Sequence, residues 1–405
     1  MAGITLRDLP LRTESKWPPK DKPASPIEVA IKLWVEALPV DLLESIQVTV
    51  DDLLFSSPRR WVVYPPMILL PSGSFREKWW IVLQSPTVDS KHLDLLWSLI
   101  LEQVGKREGK GILTHLAINE PIPLMKNATI PGGDGKNENI LRTPSGLVML
   151  YGDFGPALDP YRIPSEEDLG QAFWVSTKQN GITQVWAPRY TMFSRGNVTE
   201  KQRLLDFHGP HRVIESRAKS KNELRKETAV DLYAGIGYFV FSYVKMGMGR
   251  VLGWELNPWS VEGLRRGALA NGWSVRVIRE DKTLEVGDED IVVMVEDNKK
   301  ADNRIRALDG LGPICHVNCG LLPTSEPSWE MALEILGADG WLHLHDNVGV
   351  RDIITRKEEV EEILRRRLRK QNDDRDLRVE HVETVKSFAP GVFHMVFDIY
   401  ICSQT

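Results

Sequence analysis

From Thr228 onward the chain beats regularly between short apolar runs and longer amphipathic stretches. AVDLYA, RVLGWEL, SVRVI, IVVMV, PICHVN and WLHLHD are rich in Val, Ile and Leu, and segments of helical length separate several of them. Such runs read as buried strands joined by helical crossovers, the rhythm of βαβ units and a largely parallel sheet. The stretch from Arg351 to about Asn372 is strongly charged, yet Val360, Ile363, Leu364 and Leu368 fall on one helical stripe. LRVEHVETV and VFHMVFDIYI follow with no helix between them. In the second, Phe393, Met395, Phe397, Ile399 and Ile401 alternate with other residues, as on a strand with one face on a core. Two late strands in succession predict an antiparallel edge. The fold class is α/β, with a Rossmann-like seven-stranded sheet.

The first half is less regular. IEVAIKLWVEAL and HLDLLWSLILEQV have helical spacing, WVVYPPMILLP is a short apolar segment, and GKREGKG at 105–111 reads as a linker. ILTHLAI, GLVMLYG, QAFWVS and TQVWAP are strand-like and broken by Pro and Gly, which predicts a small α+β domain. MFSRGNVTEKQRLLDF reads as a loop and then a helix, and SRAKSKNELRKE as a charged connector. The Pro-, Lys- and Ser-rich first twenty-five or so residues read as a loose arm. The expected units are therefore 1–110, 111–220 and 221–405.

Composition narrows the class without naming it. A chain of 405 residues with 42% hydrophobic and 26% charged residues can bury sizeable cores. Three cysteines are too few for a disulfide framework and have no histidine or cysteine partners at finger-like spacing, so zinc is not expected. No signal-peptide core or membrane-length apolar run is present, and cytoplasmic residence is the default. The net charge of −5 gives no support for nucleic-acid binding, so an RNA partner needs a local patch.

The strongest local signal is the stretch Asp231, Leu232, Tyr233, Ala234, Gly235, Ile236, Gly237. An apolar strand runs into a Gly-x-Gly turn and then a helix, FVFSYVKMG; the next strand ends at Glu255. Glycines allow a sharp turn and close ligand approach, and an acid at the second strand end can accept both ribose hydroxyls of a nucleoside. The bland alternative is a βαβ turn without a ligand. Position 240 is Val, so the third glycine of a dinucleotide fingerprint is missing, and no phosphate loop occurs. S-adenosylmethionine, which needs no pyrophosphate cradle, matches better. Asp297 and Asn298, after IVVMV, are candidates for the adenine edge; a polar loop cap explains them equally well.

DLYAGIGYF, WELNPWSVEGL, EDNKKA, HVNCGLLPTSEPSWEMA, WLHLHDNV and VKSFAPGVFHMVFDI, in this order, resemble the wybutosine-synthesising aminocarboxypropyl transferases. These are relatives of the tRNA guanine-37 N1-methyltransferases. THLAINEPIP and MFSRGNVTEKQR also resemble the group, so the resemblance spans roughly 110–405. It implies a class I S-adenosylmethionine-dependent methyltransferase fold. It implies transfer of the 3-amino-3-carboxypropyl group to C7 of 4-demethylwyosine in tRNA-Phe, with methylthioadenosine released, by a monomer needing no metal. Two stretches depart from the methyltransferase pattern. The asparagine–x–proline motif is replaced by Val317 to Pro323, and the Phe-Ser-Pro-Arg-Leu stretch by Phe193, Ser194, Arg195, Gly196, Asn197. The alternatives are a guanine-37 N1-methyltransferase and a non-catalytic RNA-binding protein on the same scaffold.

Other residues carry two readings each. Asn318 could orient the base and His316 could remove a proton, since both lie near a strand end; a satisfied strand histidine is the plainer reading of His316. His345, Asp346 and Asn347 could reach the same cleft. Thr199 and Arg203 could hold cofactor or tRNA backbone, or belong to a capped helix. Between 197 and 227 eight Lys/Arg face five acids, which makes Lys201 a candidate RNA contact. Lys386 and Phe388, expected on a loop, pair a cation with an aromatic suited to phosphate contact and stacking.

Overall fold

The computed structural model describes residues 24–120, 125–127, 136–138, 144, 146–159, 162–210, 212–279, 287–308 and 310–403. Most of the expected N-terminal arm, and Pro121 to Pro123 of THLAINEPIP, lie outside them.

The strands in chain order are β1 (Val62–Tyr64), β2 (Met67–Leu70), β3 (His115–Ile118), β4 (Met125–Asn127), β5 (Lys136–Glu138), β6 (Val148–Tyr151), β7 (Val175–Gln179) and β8 (Ile182–Trp186). They continue with β9 (Thr228–Asp231), β10 (Arg250–Trp254), β11 (Val275–Arg279), β12 (Ile291–Val295), β13 (Ile314–Cys319), β14 (Gly340–Gly349), β15 (Asp376–Ala389) and β16 (Val392–Cys402).

The N-terminal sheet has the order β1-β2-β3-β6. β2 and β3 are parallel, with Met67 opposite His115, and helix Ser90–Glu108 lies on the crossover between them. Asp89 caps that helix, accepting from the His92 N–H at 3.0 Å, and left-handed Gly109 ends it. The helix packs on helix Pro26–Glu36, which opens on a Ser25/Glu28 capping box. Ile31, Trp34, Trp79, Leu96 and Ile100 from the helices share one core with Ile68, Leu70 and Leu116 of the sheet. The break expected at 110/111 thus falls inside a βαβ unit. The charged GKREGKG run misleads because its first four residues finish a helix.

The β7–β8 hairpin turns at Asn180 and Gly181, both at positive φ. It docks on helix Pro258–Ala270 of the C-terminal unit. Asn271 there accepts from the Thr183 N–H at 2.9 Å and donates to the Thr183 carbonyl at 2.7 Å. A Cβ on Gly263 would sit 2.6 Å from the Val185 carbonyl, so this close approach needs glycine.

The large sheet has the order β11-β12-β10-β9-β13-β14-β16-β15. It is parallel except that β16 runs antiparallel to both β14 and β15, the expected edge. It holds eight strands, not seven: all eight apolar runs read in the sequence enter it, with SVRVI forming β11, a largely half-buried edge strand beside β12. Met395, Phe397, Ile399 and Ile401 of β16 and Val360, Leu364 and Leu368 of helix Ile353–Lys370 all enter the core on one face. β9, β10, β12 and β13 bring their C-terminal ends to one edge, where open α/β sheets place their ligands.

Candidate active site

A cavity of about 530 Å³ lies against those strand ends. Its wall includes Tyr233, Gly235 and Ile236 after β9, Glu255 and Leu256 after β10, Glu296 and Asn298 after β12, and Gly320 to Leu322 after β13. Gly235 and Gly237 take φ of 54° and 89°, the left-handed region that favours glycine. The Glu255 carboxylate is fixed by two backbone donors, Gly235 N–H at 2.9 Å and Asn257 N–H at 2.8 Å. Burial nevertheless pushes its carboxyl above the usual glutamate range. A carboxylate held in this way can accept from a donor pair such as vicinal hydroxyls.

Tyr233, Gly235, Glu255 and Asn298 therefore come together as expected. The other expected cofactor residues do not line the cavity. Gly237 forms the turn behind it, where a Cβ would strike the Phe241 ring at 2.5 Å. Asp231 is fully buried at the end of β9; it accepts from the Tyr233 N–H and from Asn318 Nδ2, each at 3.1 Å. Burial pushes its carboxyl up to about 7. Asn318 is fully buried with it, so it stands behind the wall rather than facing the base; its Oδ1 and Asp231 Oδ2 have no partner among the described residues. Asp297 caps the turn that follows, accepting from the Lys299 N–H at 2.9 Å, while its neighbour Glu296 lines the cavity and pairs with Arg304 at 2.8 Å. Thr199 is exposed and outside the cavity.

Other residues expected at the cleft or at the RNA surface belong to the interior instead. His316 is fully buried mid-strand, hydrogen-bonded to His208 and His343 at 2.9 Å each. His343 bonds Asp398 at 2.7 Å; Asp398 accepts from Arg203, and Arg203 grips Glu200 at 2.7 and 2.8 Å. This closed polar chain crosses the middle of the sheet, so Arg203 binds no cofactor and His316 reaches no substrate. Lys201 is also buried, its ammonium spent on Gln179 at 2.7 Å and Gln184 at 2.8 Å. Burial pushes that ammonium down to about 7, and it offers no surface to RNA. His345 bonds His394 at 2.8 Å and Asp346 pairs with Arg356 at 2.8 Å; neither lines the cavity.

A second cavity, of about 910 Å³, opens beside the first. Arg59, Arg60 and Trp61 before β1, Tyr64, Trp186, Phe193 and Arg195 line it, together with Lys386 and the exposed Phe388. Its aromatic wall is ordered: Tyr64 meets Trp186 edge-on at 4.8 Å and Trp186 stacks on Phe193 at 4.7 Å. Thr191, Met192, Ser194 and Lys386 line both cavities. Lys386 sits on β15 rather than on a loop. The sequence reading missed the N-terminal contribution to this wall. Its signal is the adjacent Arg59, Arg60 and Trp61, a basic and aromatic triplet.

This sheet order, with a glycine turn and an acid at adjacent strand ends, defines a class I S-adenosylmethionine-dependent methyltransferase fold. No protein-family model matches the chain. It is 43% identical over 357 residues to tRNA wybutosine-synthesizing protein 2 of Schizosaccharomyces pombe, covering 87% of this chain and 74% of that protein. Over 395 residues it is 29% identical to the Saccharomyces cerevisiae protein of the same name, covering 89% and 77%. The chain belongs to the tRNA wybutosine-synthesizing protein 2 family. The matches run past the 110–405 span into the N-terminal unit.

Among solved structures, Pyrococcus horikoshii TYW2 in complex with MeSAdo superposes with a TM-score of 0.55 at 16% identity, covering 93% of this chain and all 100% of that one. Trm5b from Pyrococcus abyssi gives 0.53 at 13% identity, over 88% and 79%. Both share the fold. Among the described residues no group of three or more His, Cys, Asp or Glu could hold a metal, and no helix is long and apolar enough to cross a membrane.

Proposed function

We propose that this chain transfers the 3-amino-3-carboxypropyl group of S-adenosylmethionine to C7 of 4-demethylwyosine at position 37 of tRNA-Phe, releasing methylthioadenosine. The relatives at 43% and 29% identity are named for wybutosine synthesis, and the structural neighbour carries MeSAdo, methylthioadenosine, which is what remains of S-adenosylmethionine once the aminocarboxypropyl group has left. The observation that carries the reading is the pair of cavities meeting at Ser194 and Lys386. The smaller, with Glu255 facing a ribose and Asn298 beside the adenine, suits a nucleoside. The larger, walled by Tyr64, Trp186, Phe193 and Phe388 with arginines at its rim, suits a flat tricyclic base and the adjoining phosphates.

Three carbons on a sulfonium are electrophilic, and the carbon turned toward the nucleophile is the one transferred. The C7 π-electrons form the new bond to the γ-carbon and the γ-carbon–sulfur pair returns to sulfur. C7 then loses its proton. The residues of the chain hold the adenosine at Glu255, hold the base on the aromatic wall and fix the angle between them. Asp231 and Asn318 brace the glycine turn from behind. A monomeric, cytoplasmic enzyme in which residues 111–220 help orient tRNA completes the proposal.

The test is a by-product assay with S-adenosylmethionine and tRNA-Phe bearing 4-demethylwyosine. Methylthioadenosine that depends on this tRNA is the expected product. S-adenosylhomocysteine would make the enzyme a methyltransferase and overturn the reading.

A further inference from the structure

Among the described residues that line the smaller cavity, Lys386 is the one cation. Its ammonium donates to Ser194 Oγ at 3.1 Å, and no carboxylate among the described residues pairs with it. Burial holds it below the usual lysine range. Placing a cation in a half-buried, largely apolar setting without a counter-charge is unfavourable, and an incoming anion relieves that cost. The neighbouring wall is Met192, Phe239, Leu321 and Leu322, so charge attraction there is screened less than in water.

The position of Lys386 is fixed by its surroundings. Ser194 is anchored, because its N–H donates to the Tyr238 hydroxyl at 3.0 Å while that hydroxyl donates to the Met192 carbonyl at 2.6 Å. The alkyl chain of Lys386 runs over Gly196, where an added Cβ would come within 2.5 Å of Cδ and 3.1 Å of Nζ. Glycine at 196 thus leaves the path that brings the ammonium to the junction of the two cavities. This glycine lies in the Phe193–Asn197 stretch that departs from the methyltransferase pattern.

We propose that Lys386 is a positioning residue that takes the α-carboxylate of S-adenosylmethionine and stretches the aminocarboxypropyl chain across the opening between the cavities. This rests on the transfer reaction proposed above. With adenosine at Glu255 and the carboxylate at Lys386, the γ-carbon lies on the line between them and faces the base cavity, while the methyl is left to the wall. A tRNA phosphate is the other anion that a lysine here could meet. The inward setting favours the carboxylate, since Arg59, Arg60 and Arg195 already serve the outer cavity.

The experiment is calorimetric titration of the full chain, without tRNA, using S-adenosylmethionine and methylthioadenosine. The two share the adenosine and sulfur, and only the first carries the carboxylate. Lys386→Met weakens S-adenosylmethionine at least about tenfold, the worth of one charge-assisted hydrogen bond, and leaves methylthioadenosine within about twofold. Lys386→Arg restores most of the loss. Gly196→Ala, which displaces the lysine without removing its charge, produces a smaller loss selective for the same ligand. Equal weakening of both ligands by Lys386→Met would reduce the lysine to a structural support. Unchanged affinity for both, with weaker tRNA binding by Lys386→Met in a parallel gel shift, would assign it to phosphate. Either result overturns the proposal. The wild-type by-product is read separately, so failure of the reaction assignment is distinguishable from failure of this contact.

Discussion

Two sets of polar residues cross the C-terminal sheet, and they differ in what completes them. In the interior, Glu200, Arg203, Asp398, His343, His316 and His208 form a chain in which each member meets the next. At the strand ends, the Glu255 carboxylate is held by backbone donors, and Lys386 has a hydroxyl but no counter-charge among the described residues. The first set is closed and serves the fold. The second is aligned and left open for a ligand. Residue type does not separate them, since both contain a glutamate and a basic side chain; the completeness of the partners does.

The contrast is sharpest where a closed pair is cut. Arg203→Met leaves Glu200 and Asp398 buried without their cation, and chemical unfolding registers a loss of about 3–5 kcal/mol. The folded fraction keeps its S-adenosylmethionine affinity. A large affinity loss with little change in stability would move Arg203 back to the cofactor.

Acid acts on the interior by the same logic. Burial holds His208 and His394 near 4, below the unfolded value of 6.5, so the unfolded chain takes up more protons between these limits. The stability these two histidines contribute is therefore complete above about pH 6.5 and falls as pH drops toward 4. From pH 7 to 5 each histidine contributes a loss of about 2 kcal/mol, read as a lower urea midpoint. Asp231, with its carboxyl raised to about 7, acts the opposite way over this range, so the histidine contribution is read as the difference between wild type and the His208→Gln and His394→Gln variants. Variants whose midpoints respond to pH as wild type does would contradict the burial.

Glu255→Gln gives the opposite signature to Arg203→Met. It weakens S-adenosylmethionine and methylthioadenosine alike, by about 1.5–3 kcal/mol, because both carry the ribose. The unfolding midpoint moves much less. The smallest effect belongs to His316→Gln, which costs about 1–2 kcal/mol of stability through an interrupted hydrogen-bond chain and leaves the pH profile of kcat unmoved. A shifted profile would return His316 to the chemistry.

Much of this was legible in the residues. The strand rhythm after Thr228 anticipated the parallel sheet and its antiparallel edge, and the order of strand, glycine turn, helix, strand and acid anticipated the cavity floor. Strand periodicity does not tell whether a polar side chain at a given position finds a partner on a distant segment. His316 meets His208 across 108 positions and Arg203 meets Asp398 across 195, so their burial could not be read locally. The 110/111 boundary failed for a related reason. Local charge marked the end of a helix, whereas the parallel pairing of β2 with β3 that spans it is a non-local fact.

In the proposed reaction the γ-carbon, and not the methyl, reaches the base. The direct measurement uses S-adenosylmethionine carrying one isotope in the methyl group and another in the carboxyl group, with tRNA-Phe bearing 4-demethylwyosine. The expected result is that the recovered tRNA holds the carboxyl label and none of the methyl label. Methyl label in the tRNA, with the carboxyl label left in the small-molecule fraction, would contradict it.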